Sequence, residues 1–154
     1  MTNNQNQNIF YQTNYGDTRL IAFEILKKFL KPDNSQKIAE ILNEALEIYA
    51  KKHELVSEDI FQKIDDEFLH QLLIGLLDNI DEIEVLMADF FGSSNEFNYS
   101  ILLKLIIYEL KFHHENSSQN IFEDYQKIFV INQLKFDKNL FVKLLNQFRD
   151  FEMQ

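Results

Sequence analysis

The chain contains no cysteine, a single proline and three glycines in 154 residues. Without cysteine there is no disulfide framework, no thiolate zinc site and no cysteine nucleophile. So few glycines and prolines argue against an all-β sandwich or barrel, which needs many tight turns. They also leave no glycine-rich phosphate loop and no G-x-S-x-G elbow. No apolar run reaches the roughly 20 residues needed to cross a bilayer, and no basic-plus-apolar leader opens the chain. The expectation is a cytoplasmic protein away from the membrane. What is present is 45% apolar and 26% charged, with 15 basic against 25 acidic side chains and a net charge of −10. The length fits one domain. Taken as a total, the acidity excludes a nucleic-acid binder, because neutralising phosphate needs Lys and Arg.

Periodicity turns these exclusions into an all-α fold. The polar, low-complexity opening predicts a disordered lead-in over residues 1–15, followed by a single helical domain over 16–154. Asp17 is the expected N-cap of a first helix whose apolar face includes Leu20, Ile21, Phe23, Ile25, Leu26 and Phe29. Pro32 stops that helix, and Ser35 restarts the pattern through Tyr49. A third helix is expected from Ser57 to Leu77, and a fourth, capped by Asp81, to Phe91. The fifth, FNYSILLKLIIYELKF, is apolar nearly all round, which places it among other helices. A sixth follows with Ile121, Tyr125, Ile128 and Phe129. The seventh, capped by Asp137, carries Leu140, Phe141, Leu144, Leu145 and Phe148. Gly75, inside the third pattern, costs about 1 kcal/mol relative to Ala, so close approach of a neighbouring helix should offset it.

Catalytic constellations are weak. Glu109 and His113 stand at i,i+4, but His113 and His114 point about 100° apart on a helix and do not share one ion, so a solvated helix end is the better reading. Asp66 and His70 read as an exposed pair rather than an acid–base dyad. Glu40, Glu44 and Glu47 read as the wet face of the second helix, without the Glu-x-x-His elements of a di-iron bundle. No metal site, cofactor or enzyme activity is expected.

The residues do resemble those of a known family. In LLIGLLDNIDEIEVLM, residues 72–87, Gly75, Asn79, Ile83, Glu84 and Leu86 match the pattern of the NusB family of transcription antitermination factors. In ILLKLIIYELKF, residues 101–112, Lys104, Tyr108, Glu109 and Leu110 match a second motif of that family. Glu123 in IFEDYQKIF, residues 121–129, and Arg19, Ala22 and Leu26 near the start are similar to two more, so the resemblance covers roughly residues 18–148 in order. It implies a seven-helix NusB-like bundle with an N-terminal three-helix half and a C-terminal four-helix half. It further implies a non-catalytic adaptor of the transcription elongation complex. Such a protein pairs with the basic ribosomal protein NusE, binds single-stranded boxA-like RNA and supports rRNA transcription. On this reading Arg19, Lys27, Lys28, Lys135 and Lys138 contact RNA, and Lys104, Tyr108 and Glu109 serve partner binding. Tyr11, Tyr15 and Phe136 lie near those basic positions, where base stacking competes with ordinary packing.

Three features differ from the family pattern, the first being Phe122 where the family carries Asn ahead of Glu123. Arg19 stands alone where members usually carry several arginines, and LFVKLL, residues 140–145, has no Asn–Gly pair. The latter two motivate an alternative, a protein-interaction domain of the same fold without RNA binding. Some family relatives form homodimers, and nothing in the residues decides that here. The family fold also occurs fused to RNA cytosine methyltransferases, but this sequence holds no cofactor-binding domain.

Resolving the charge by region reopens the question of RNA. Residues 1–34 hold four basic groups against three acidic, residues 35–115 six against seventeen, and residues 116–154 five of each. The deficit lies wholly in the middle, so a local basic patch is still able to meet phosphate beyond a screening length of about 8 Å. The acidic middle suits a basic protein partner, although acidic helices also serve simply to keep a protein soluble.

Overall fold

The computed structural model describes residues 2–92 and 96–149, and the side chains among them other than those of 2–14 and 57–58. Among the described residues there are seven α-helices and no strand. They are α1 (Thr2–Phe29), α2 (Ile38–Lys52), α3 (Asp66–Asp78), α4 (Ile80–Phe91), α5 (Phe97–Ile107), α6 (Ser118–Ile131) and α7 (Lys138–Phe148). A short 3-10 segment, Ser57–Gln62, precedes α3, and a π-helical turn, Tyr108–Phe112, continues α5. The all-helical class and the helix count are those expected from periodicity. The lead-in expected over residues 1–15 lies, except for Tyr15, outside the described side chains. No helix among the described residues is long and apolar enough to cross a membrane.

The chain forms two compact units, residues 1–73 and 74–154, with the division falling inside α3. In the first unit α1 ends three residues before Pro32, and the Asn34 side chain closes the turn into α2. Its Oδ1 accepts from the Gln36 amide at 3.0 Å, and its Nδ2 donates to the Phe29 and Gln36 carbonyls at 3.2 and 2.9 Å. Ala22, Phe23, Ile25 and Leu26 of α1 and Ile41 of α2 are wholly buried.

Two expectations about this unit need correction. Asp17 does not cap α1; it sits inside the helix, where its carboxylate accepts the Tyr49 hydroxyl of α2 at 2.6 Å. Ser57 does not open α3 either, because Lys63–Asp65 interrupts the pattern. The interruption has a physical cause: the Asp65 amide donates to Thr18 Oγ1 at 3.0 Å, while its carboxylate accepts the Phe68 amide at 2.9 Å and starts α3. Asp65 is the working cap.

In the second unit α5 is the centre. Ile101, Leu102, Leu103, Leu105, Ile106 and Ile107 are all buried, as its near-continuous apolar sequence requires. Glu96 caps α5 by accepting from the Asn98 and Tyr99 amides, Ser117 caps α6 through Asn120, and Asp137 caps α7 through Asn139 and Leu140. The last of these is the cap expected from sequence. Asp81 is not a cap; Asn79 precedes α4, and Asp81 lies in the first turn, where its charge still favours the helix dipole. Gly92, at φ +74°, ends α4. Phe122, Phe129 and Phe136 meet edge-on at 4.9–5.2 Å between centroids and seal α6 against the approach to α7.

Candidate functional site

Gly75 and Tyr108, from the two segments that carry the family resemblance, meet in the second unit. A Cβ on Gly75 would collide with the Tyr108 ring, its Cε1 at 2.7 Å and its outer atoms nearer still. The glycine is therefore required by close approach, which offsets its cost in α3. Asn79, one turn on, donates from Nδ2 to the Gly75 carbonyl at 2.7 Å and holds the end of α3 at this point. Tyr108 is 7% exposed. Burial first, and then the carboxylates of Glu109, Asp78 and Glu115, raise its phenol above the ordinary value, so it stays neutral.

Glu109 and Arg149 complete this region. Glu109 is fully buried, and its carboxyl accepts the Tyr125 hydroxyl at 2.6 Å and the Asn116 side chain at 3.4 Å. Arg149, also fully buried, donates through all three of its guanidinium nitrogens. Its Nε donates to the Leu110 carbonyl (3.1 Å). Nη1 donates to the Asn116 carbonyl and Ser118 Oγ (2.7 and 3.3 Å), and Nη2 to the Glu109 and His113 carbonyls (2.8 and 2.9 Å). The end of a helix leaves carbonyls without intrahelical partners, and here one guanidinium collects them around the π-helical turn. The sequence reading passed over Arg149. Its only signal was a lone arginine at the end of an amphipathic helix, where a basic residue is unremarkable.

These positions revise the expected site. Tyr108 and Glu109 do not present side chains to a partner, because both are buried. Lys104 is mostly buried and lies 3.4 Å from Glu84 Oε1. Arg19 is not at the surface for RNA: it is 0% exposed, with its guanidinium over the rings of Phe68 (5.1 Å) and Tyr15 (5.9 Å). Lys27 is drawn onto Glu24 at 3.0 Å and over Phe23 at 5.2 Å. Lys28, Lys135 and Lys138 remain exposed. Phe136 packs in the phenylalanine cluster and Tyr15 lies 4.4 Å from Phe68, so the packing reading holds for both; the Tyr11 side chain lies outside the described residues. His113 is buried and His114 exposed, Asp66 and His70 form an exposed pair at 3.2 Å, and Glu44 accepts from Gln36 at 2.8 Å. Among the described residues no three His, Cys, Asp or Glu side chains come together as a metal site.

The outer face of α4 is the clearest charged surface. Asp81, Glu82, Glu84 and Asp89 are exposed there, and Val85 between them is 61% exposed. Lys111 and Lys104 pair with Glu82 and Glu84 at 3.3 and 3.4 Å, leaving Asp81 and Asp89 on either side of Val85. Comparison with family models, curated proteins and solved structures returns no match for this chain.

Proposed function

We propose that this protein is a NusB-type transcription antitermination factor, a non-catalytic cytoplasmic adaptor. It docks the basic ribosomal protein NusE and, with it, contacts boxA-like RNA in the elongation complex to support rRNA transcription. The observation that carries the reading is the junction of its two motif segments. Gly75 admits the Tyr108 ring, Asn79 secures the Gly75 carbonyl, and Glu109 next to Tyr108 takes the Tyr125 hydroxyl. Gly75, Asn79, Tyr108 and Glu109, four of the residues that carry the resemblance, thus share one interlocked region, which supports a common origin for those two motifs.

The acidic face of α4 supplies a surface suited to a basic partner, steering its approach and complementing its charge. RNA contact falls to Lys28, Lys135 and Lys138. Phosphate neutralisation by three lysines is weak on its own, so the partner supplies the rest of the positive surface. Calorimetric titration of the chain with NusE tests the reading: saturable binding weakened by Asp81→Lys with Asp89→Lys is the expected result, and absence of binding contradicts it.

A second reading, a protein-interaction domain of this fold without RNA binding, is favoured by the burial of Arg19 and the pairing of Lys27 with Glu24. NusE binding without any gain in RNA affinity for the complex selects it.

A further inference from the structure

The first unit holds a groove that shares only Lys28 with the RNA contacts proposed above. It runs between α1 and α2 and encloses about 190 Å³. Leu20, Ile21 and Ile48 form its apolar floor, while Lys28, Lys52 and Glu24 stand along it. Single exposed apolar residues are ordinary on protein surfaces. Here, however, Ile48 is 58% exposed and lines a concave site, as an anchor residue for a ligand would.

The two helices fix the charge pattern. Asp17 holds Tyr49 at 2.6 Å, so the end of α2 that carries Lys52 lies towards the early part of α1. Lys28 is eight residues beyond Leu20 on α1, about 12 Å along the axis at 1.5 Å per residue. The groove therefore bears a cation at each end. The acid between them is already engaged, since Glu24 binds Lys27 at 3.0 Å. In a chain of net charge −10, this is a local site suited to an anionic partner.

We infer that the groove docks an acidic amphipathic helix of a partner protein. A length of 12 Å accepts apolar side chains at i, i+3 or i+4, and i+7 of a docked helix, the ordinary spacing for helix-in-groove recognition. Carboxylates flanking those anchors meet Lys28 and Lys52. The partner differs in charge from the basic one assigned to α4, so the chain bridges two proteins of opposite sign. Apart from Lys28, which the antitermination reading assigns to RNA, this inference draws on none of that reading's residues.

The test uses a fluorescein-labelled 16-residue helical peptide with three leucines at that spacing and glutamates at both ends. Its control carries lysines in place of the glutamates, and fluorescence anisotropy with the full chain reads the binding. The acidic peptide binds at least tenfold tighter than the control, and Ile48→Glu weakens it at least tenfold. Lys28→Glu with Lys52→Glu, both at exposed positions, reverses the preference towards the lysine peptide, so the conclusion does not rest on one variant. Equal binding of the two peptides, or no effect of either variant set, overturns the inference. So does self-association of the chain that Ile48→Glu abolishes, which would make a second copy the occupant. Displacement of the peptide by a long-chain carboxylate overturns it as well.

Discussion

The two units solve the burial of helices in different ways. Residues 74–154 are built round a helix that is apolar nearly all round, so α5 is surrounded and the carbonyls at its end must be met from within. Arg149 meets three of them, those of Glu109, Leu110 and His113, together with the Asn116 carbonyl of the loop beyond, and Glu109 binds Tyr125. In residues 1–73 a polar contact, Asp17 to Tyr49, joins α1 to α2, Thr18 of α1 holds the Asp65 amide at the start of α3, and a groove stays open between α1 and α2. The difference teaches where polar contacts lock the interior and where they leave a groove beside them. A fully enclosed polar network is costly to disturb and exposes nothing, whereas a marginal one is cheaper and leaves surface available.

The largest effect should fall on Arg149. Arg149→Ala leaves several buried acceptors without a donor, each worth roughly 1–3 kcal/mol, so urea unfolding should show a loss of about 3 kcal/mol or more. Arg149→Lys should restore little, because an ammonium cannot reproduce the fork. If Arg149→Ala costs less than Tyr49→Phe, the contrast between the units is wrong.

Gly75→Ala comes next. Alanine gains about 1 kcal/mol of helix propensity, but displacing the Tyr108 ring costs about 1–3 kcal/mol of overpacking. A net loss is expected by thermal unfolding, and Tyr108→Ala should convert Gly75→Ala into a stabilising change. Stabilisation by Gly75→Ala alone would show that the two residues do not touch.

Glu109→Gln should cost about 1–2 kcal/mol through the weakened bond from Tyr125. Tyr49→Phe should cost about 1 kcal/mol, since it frees Asp17 at a less buried margin. Burial, then the Asp17 hydrogen bond and charge, raise the Tyr49 phenol above its ordinary value of 10.0. A raised folded-state pKa contributes stability below the unfolded value and loses it as pH climbs further. Unfolding should therefore become easier above pH of about 10, and less steeply in Tyr49→Phe. Smallest of all, Ile48→Glu should change stability by no more than about 0.5 kcal/mol, which isolates its effect on the groove.

Much of this fold is legible in the sequence because hydrophobic periodicity and capping are local. The enclosed α5, the stop before Pro32 and the Asp137 cap all follow from neighbouring residues. What escaped depends on partners far along the chain. Asp17, placed like a cap, is claimed by Tyr49, and Ser57 yields the start of α3 to Asp65, whose amide is held by Thr18. The same holds for the site. Gly75 announced a close approach but not Tyr108 as its cause. Arg19, Tyr108 and Glu109 matched family motifs as residue types, yet their burial is set by contacts that no spacing rule records. Arg149 gave only the weak signal of a lone arginine at a helix end, since its acceptors are mainly backbone carbonyls that every residue owns.

The adaptor reading is tested most directly by RNA binding of the purified complex with NusE across a salt series. It predicts tighter binding to boxA-like than to scrambled RNA. Comparison of the wild type with Lys28→Ala, Lys135→Ala and Lys138→Ala combined should show a slope shallower by about 2, from roughly 0.7 per phosphate contact on a single strand. Equal affinity for the two RNAs, with a slope the three substitutions leave unchanged, would contradict it.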